Sequence, residues 1–477
     1  MSEIQFYDTR TRSQRPFEPI EAGKVGIYTC GPTVYGEQHV GNLRSRLFSD
    51  LLKRFLMSEG FEVTHVINIT DVGHLVSDAD DGEDKIEAAA KKAGQTAAEI
   101  AAHYTKLWRE DGYAVNCLTP EHNPKATDHI ADQIELGQRL EAGSYLYTID
   151  DGVYFDTSRF PRYAELAHLD LEGQAEGARI GVVPGKRNPA DFAVWKFAEE
   201  GVKRLQEWDS PWGRGFPGWH LECSAMSVRY LGERFDIHTG GIDLATVHHT
   251  NEVAQSECGF DVHPWVGYWM HNEYLMLQGS AGGEKMSKSK GNVRTLSDLI
   301  NRGIDPLAFR YFFMQTHYRQ QQVFTDEAME AAAKGYRRLV AVAAGLNKVE
   351  GEGDSDLQAP FAARFREGLA DDLNAPKAMA VVWEVARHAS LPEVDRRDLL
   401  NRFDSVLALG LAEAVVKEAV DEWESDPRID ALLEERNTAR ETKDWATADR
   451  IRDELSGVGI EIVDTPDGAR WRRGSTP

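Results

Sequence analysis

Apolar residues recur along this chain with two different periods, and the change of period divides it. GKVGIYTC (23–30), FEVTHVINIT (61–70), RFDIHTGG (234–241) and WVGYWMHN (265–272) are short apolar runs rich in β-branched and aromatic residues, and each predicts a buried strand. Between the first two, NLRSRLFSDLLKRFLMSEG (42–60) places leucine and phenylalanine at helical spacing and ends in glycine, which predicts a helix. Strand–helix–strand order predicts an α/β unit on a parallel sheet, whose ligands sit at the carboxyl ends of the strands. Because the sheet resumes only at 234, the region of about 118–215 reads as an insertion.

After residue 325 the period becomes helical. Thr325 is the expected N-cap of TDEAMEAAAKGYRRLVAVAAGL (325–346), in which Ala332, Tyr336, Leu339, Ala343 and Leu346 share one face suited to bundle packing. FAARFREGLADDLNAPKAMAVVWEVARHA (361–389) reads as one further helical segment, joined through the polar loop 347–358. DPRIDALLEERNTARETKDWATADRIRDEL (426–455) predicts helix of mixed charge, and GIEIVDTPDGARWRR a small hairpin. The expected layout is a domain over 1–325 carrying the insertion, a helical domain over 326–425 and a C-terminal module over 426–477.

Composition sets outer limits. The 477 residues suffice for two or three domains, and 42% hydrophobic with 28% charged residues, without a long apolar run, argues against a membrane span. The polar N-terminus lacks the pattern of a signal peptide, so a cytoplasmic address is expected. A net charge of −24 disfavours nucleic-acid binding by the chain as a whole. The acids, however, concentrate in SDADDGEDKIE (77–87) and VEGEGDSD (349–356), while the C-terminus carries ARWRR, which leaves room for a local basic face. Four cysteines, at 30, 117, 223 and 258, are too few and too far apart for a disulfide framework. Cys117 and Cys258 read as buried small hydrophobes.

Two groups of residues carry chemistry. CGPTVYGEQHVGN (30–42) follows the first strand, and EKMSKSKGN (284–292) lies far downstream. Were the two segments to handle a nucleotide, the charge on its phosphate oxygens would require donors and cations placed there. His39 and a helix N-terminus supply donors, Gly41 lets the nucleotide approach the backbone, and Lys285 and Lys288 can close over the phosphates, Lys288 foremost. Taken singly, each segment would pass for a turn or a solvated basic loop. The second group is Cys30, Cys223 in GWHLECSAM (218–226), and His248 and Glu252 in HHTNE (248–252), which together make a tetrahedral sulfur, nitrogen and oxygen donor set for zinc. By spacing alone, packing and hydrogen bonding explain these residues equally well.

The pair of segments resembles the HIGH and KMSKS signatures of class I aminoacyl-tRNA synthetases, with Asn42 where the second histidine is usual. CGPTVY, NITD (68–71), KRNPADFAVWK (186–196), SPWGRGFPGWH (210–220), FDIHTGGIDL and HHTNE, in this order, resemble the cysteinyl-tRNA synthetase family specifically. The resemblance implies a class I Rossmann-type catalytic domain with a connective insertion, a helical bundle and an anticodon-binding module. It implies one zinc ion per subunit on Cys30, Cys223, His248 and Glu252, with Mg²⁺ accompanying ATP. It places the cysteine pocket at Thr70 and Trp219, and ATP contacts at His39, Gly41, Asn42, Gly240, Gly241, Asp243, Lys285 and Lys288. His220 and His238 line that pocket or are satisfied structural histidines. LATVHHTNE departs from the usual LMFPHHENE, which leaves the choice between His248 and His249 open. In the C-terminal module Arg440, Trp445, Asp449 and Asp464 match positions that contact the anticodon, although Trp445 alone would read as a core aromatic. The partners implied are ATP, L-cysteine and tRNA(Cys), and a monomer is expected. Two other readings remain: an ATP-dependent ligase joining cysteine to a small amine, and a catalytically silent zinc and RNA-binding protein.

Overall fold

A computed structural model describes residues 3–73, 85–169, 183–198, 204–277, 284–285, 294–415, 426–442, 444–457, 460–465 and 468–473. The chain divides into two compact units, Met1–Ala414 and Val415–Pro477.

At the centre of the first unit is a four-stranded parallel sheet of β1 (Lys24–Thr29), β2 (Glu62–Ile67), β3 (Phe235–Gly241) and β4 (Val266–Asn272), in the order β4-β3-β1-β2. These are the four strands expected from the apolar runs. Alternation sends Val25 and Ile27 of β1 to one face and Tyr28 to the other, and both faces are covered, as a parallel sheet requires. Helix α1 (Val40–Ser58) packs on the first face through Leu43, Leu47, Leu51 and Phe55. On the second face lie α2 (Trp219–Leu231) and α3 (His248–Phe260), which contribute Leu221, Met226, Val253 and Ala254 to the core there.

Arg44, on the buried side of α1, is wholly enclosed. Its guanidinium donates to the carbonyls of Glu273, Tyr274 and Gln320, which ties α1 to the chain that follows β4. The region between β2 and α2 contains an antiparallel sheet of strands Leu146–Ile149, Gly152–Phe155, Phe192–Phe197 and Gly215–Pro217, paired in chain order.

The helical part begins at Asp326–Leu346, capped by the Thr325 hydroxyl on the Ala328 N–H. Ala332, Tyr336, Leu339, Ala343 and Leu346 are all buried, in the same core as α1. The segment 361–389 is not one helix. Helices Ser355–Ala370 and Ala375–Arg387 are separated by Asp372 and Leu373 in the left-handed region, at φ 57° and 52°. The break is held from outside the segment, for the Asp372 carboxylate accepts from Tyr318 Oη, Arg319 Nε and the Tyr7 N–H. A fourth helix, Glu393–Leu407, completes this part.

The second unit contains the expected helical stretch as two helices, Pro427–Glu441 and Trp445–Gly457, and the expected hairpin, Ile460–Thr465 with Gly468–Arg473. Its core gathers Leu433, Ile451, Leu455, Ile460 and Trp471. No helix among the described residues is long and apolar enough to cross a membrane.

Candidate active site and metal centre

The carboxyl ends of β1 and β3 open into a cleft of about 420 Å³, lined by Cys30, His39, Asn42, Trp219, Gly241 and Asp243 among others. Six residues spread over more than 200 positions of sequence thus line one cleft. His39 caps α1: its backbone is extended (φ −85°, ψ 161°), and its ring Nδ1 accepts the Asn42 N–H at 3.2 Å. A side chain on Gly41 would lie 2.9 Å from that ring, so glycine here makes room for the cap. The helix start is also held from downstream, because Val40 N–H donates to the Arg294 carbonyl at 2.8 Å and His39 bridges Thr295. The other flank of the KMSKS segment is the short strand Glu284–Lys285, paired with Leu275–Leu277. Lys288 lies outside the described residues, and only the backbone of Lys285 is described.

Cys30, the first residue beyond β1, links the cleft to a buried cluster. Cys30 Sγ is 3.9 Å from Cys223 Sγ and 3.8 Å from Glu252 Oε1; His248 Nε2 is 3.5 Å from Cys223 Sγ and 3.1 Å from Glu252 Oε1. Tetrahedral zinc with ordinary Zn–S and Zn–N bonds separates its ligand atoms by about 3.3–3.8 Å, and these four separations fall within or about 0.2 Å outside that range. The one-turn spacing of His248 and Glu252 on α3 brings both to the same face. A second set, Cys30, His238, His249 and Glu252, overlaps the first, and one donor atom from each residue of either set lies within 4.8 Å of the rest. His249 Nε2 is 3.3 Å from Cys30 Sγ, and its Nδ1 shares a 2.7 Å hydrogen bond with His271.

Burial governs the charge of this cluster. It pushes the Cys30 thiol up to about 11, the Glu252 carboxyl up to about 8 and the Cys223 thiol well above its usual range. It also lowers His238 and His271 to about 3 and His249 well below the usual range. Two thiols, several neutral imidazoles and a carboxyl, each disfavoured as an isolated ion, are the donor chemistry that a divalent cation satisfies.

The remaining predicted residues fall as follows. Trp219 opens α2, and its ring centre stands 4.6 Å from that of His248. Thr70 is buried, and its hydroxyl donates to Glu222 at 2.5 Å. His238 lies behind Glu252, to which its Nε2 bonds at 3.0 Å, with its ring stacked on Trp269. His220 is buried and shares a 2.8 Å hydrogen bond with His248. Gly240 faces His249, whose Cε1 stands 2.6 Å from where a Cβ would be. In the second unit Arg440 and Asp449 are exposed and Trp445 is 59% exposed, whereas the buried indole is that of Trp471. Asp464 sits in the hairpin opposite Ala469, with its backbone alone described. Sequence reasoning passed over Glu222, His271 and Arg46. For the first two the available signal was a charged or titratable residue inside an apolar run.

A family model for the class I (C) tRNA synthetase catalytic domain matches residues 16–334, one for the DALR domain matches 364–412, and one for the cysteinyl-tRNA ligase anticodon binding domain matches 424–472. The chain is 49% identical over 467 residues to cysteine–tRNA ligase 1 of Burkholderia lata, covering 98% of this chain and 96% of that protein.

The chain belongs to the cysteine–tRNA ligase family.

Members of this family from Treponema denticola and Thermus thermophilus are 40% and 41% identical to it, each over 98% of this chain and 99% of their own length. Among solved structures, methionyl-tRNA synthetase of Mycobacterium tuberculosis with methionyl-adenylate aligns at TM-score 0.54 and 15% identity, over 85% of this chain and 94% of that one. A LeuRS of Agrobacterium radiobacter aligns at 0.59 and 10%, over 83% and 85%. At such identities the likeness concerns the class I fold alone.

Proposed function

We infer that the protein activates cysteine with ATP and transfers it to the terminal ribose of tRNA(Cys), with loss first of pyrophosphate and then of AMP. The observation that carries this reading is the position of Cys30, which belongs both to the sulfur, imidazole and carboxylate cluster and to the wall of the cleft that His39, Asn42, Gly241 and Asp243 line. An amino acid held at the cluster therefore lies beside a helix N-terminus suited to phosphate.

Cys30, Cys223, His248 and Glu252 would hold one zinc ion. When bound there, zinc supplies a soft Lewis acid that favours a substrate thiolate over a hydroxyl. The chain does the rest. His39 fixes the start of α1 so that the positive end of the helix dipole faces the nucleotide, and Asp243 accepts a ribose hydroxyl. Trp219 walls the amino-acid pocket beside His248, and Thr70 is oriented by Glu222 from behind. Lys285 and Lys288 neutralise the phosphates, with Mg²⁺ accompanying ATP. The work is divided among a catalytic domain over 1–325, with its insertion at about 118–215, a helical domain over 326–425 and a module over 426–477. Arg440, Trp445, Asp449 and Asp464 of that module contact the anticodon.

The near-full-length match to the family, including its anticodon binding domain at 424–472, disfavours a ligase acting on a small amine. The test is ATP–pyrophosphate exchange by the zinc-loaded protein. Exchange that requires cysteine supports the reading, and exchange indifferent to cysteine overturns it.

A further inference from the structure

Arg46 stands one helical turn beyond Asn42 on α1, and both line the cleft. It differs from the other buried arginines of the first unit. Arg44 is consumed by backbone carbonyls, and Arg310 pairs with Asp50 at 2.6 Å. Arg46 is only 7% exposed, yet no ion pair forms with it among the described residues. The carboxylates that act on it from a distance are Asp50, already bound to Arg310 and Arg54, and Asp111. One of its terminal nitrogens donates to the Trp108 carbonyl, and its Nε, like that of Arg44, is buried without a partner.

The guanidinium is nevertheless held with care. Its carbon lies 3.8 Å from the centre of the Trp108 ring, a cation–π seat. On the adjoining turn of helix Ala97–Ala114, residue 112 is glycine, and a Cβ there would fall 1.9 Å from the guanidinium carbon. Glycine inside a helix costs about 0.5–1 kcal/mol relative to alanine, so the helix gives up stability to admit this group. A desolvated cation with donors to spare, fixed in the wall of a cleft, is a poor structural element and a good receptor for an anion.

We propose that Arg46 is an additional substrate contact, its guanidinium binding phosphate oxygens of the ATP used in cysteine activation. This rests on the functional reading above. The planar fork of arginine suits phosphate, and Arg46 adds a fixed positive charge to the partial charge of the α1 N-terminus one turn away. Among the described residues lining the cleft, the only other full-length cation is Lys85, and the only carboxylate is Asp243. A polyanion is therefore a better match for this wall than the single carboxylate of an amino acid.

The experiment compares wild type, R46M and R46K, all zinc-loaded and full-length. It measures cysteine-dependent pyrophosphate exchange and, separately, calorimetric binding of ATP without cysteine. R46M is expected to raise the KM and the dissociation constant for ATP by about 10–100-fold, with the KM for cysteine changed less than about twofold. R46K keeps the charge but loses the fork, and should recover part of the loss. If R46M does not fold, R46K decides the matter through an expected rise of at least about threefold for ATP. Unchanged ATP binding in the folded variants, or a change in melting temperature alone, overturns the proposal. An equal rise for cysteine and ATP would do the same. A wild type that binds ATP in an Arg46-dependent way but shows no cysteine-dependent exchange would sink the functional reading and leave Arg46 as a nucleotide contact.

Discussion

His39 and Asn42 are joined at the mouth of the cleft, the ring Nδ1 of the first accepting the backbone N–H of the second at 3.2 Å. The signature histidine is therefore a helix cap, whatever it also donates to a nucleotide in the proposed function. Its ring can lie there because residue 41 has no side chain.

Replacing Gly41 with Ala should push the ring off the cap. The expected result is a loss of about 0.5–2 kcal/mol of stability, from the cap, together with a fall in the rate of exchange of at least about tenfold. Chemical denaturation and exchange kinetics measure the two effects. Full activity with the alanine in place would mean that the position of the ring is immaterial.

Gly240 links the nucleotide end of β3 to the cluster. A methyl group there meets the His249 ring at 2.6 Å and Leu244 Cδ1 at 3.0 Å, so Gly240→Ala should displace His249 toward the cluster. Zinc content measured by mass spectrometry should fall well below the wild-type level. Normal zinc content with normal exchange would show that β3 and α3 relax at no cost.

Acid stability should depend on Asp50. Burial alone would raise its carboxyl, but Arg310 and Arg54, with the Leu118 N–H, hold it below the usual range. A carboxyl lowered by folding contributes stability that is fully present above its unfolded value of about 3.9 and is lost as the pH falls through its folded value. Asp50→Asn should cost about 3–5 kcal/mol near neutrality, because Arg310 is left buried and unpaired, and should flatten the pH dependence below about pH 4. Urea denaturation between pH 6 and pH 2 reads both. A variant as stable as wild type would remove this pair from the account.

Trp445 tests the proposed separation of anticodon recognition from chemistry. At 59% exposure its removal should leave the fold and pyrophosphate exchange unchanged. Stacking on a base is worth about 1–3 kcal/mol, so Trp445→Ala should raise the KM for tRNA by about 5–150-fold. Loss of exchange to the same degree would contradict the division of labour.

The sequence made the sheet and α1 legible because their residues are buried by simple period: Val25 and Ile27 on one face of β1, Leu43 to Phe55 along one side of the helix. It did not reveal the break at Asp372 and Leu373. Both residues adopt left-handed backbone because Tyr318, Arg319 and Tyr7, distant in sequence, hold the Asp372 carboxylate. Helix propensity carries no trace of such partners. The cluster was readable as residue types, yet spacing could not rank His248 against His249, since neighbouring positions on α3 both reach Cys30 and Glu252. Trp445 and Trp471 illustrate the same limit. Each lies in a charged stretch, and only the packing of Leu433, Ile451 and Leu455 selects Trp471 for the core.

The activity proposed for this protein joins cysteine, and not its oxygen analogue, to tRNA(Cys). Aminoacylation of purified tRNA by the zinc-loaded protein with ATP and labelled cysteine or serine tests it directly. One substrate atom distinguishes the two, and a shape-based pocket separates a methylene-sized difference by only about 1–3 kcal/mol, whereas the cluster at Cys30 and Cys223 favours sulfur chemically. The expected result is ATP-dependent charging with cysteine, at least about 10⁴-fold more efficient than with serine and lost on removal of zinc. Charging that is absent with cysteine, or that proceeds equally with serine, would contradict it.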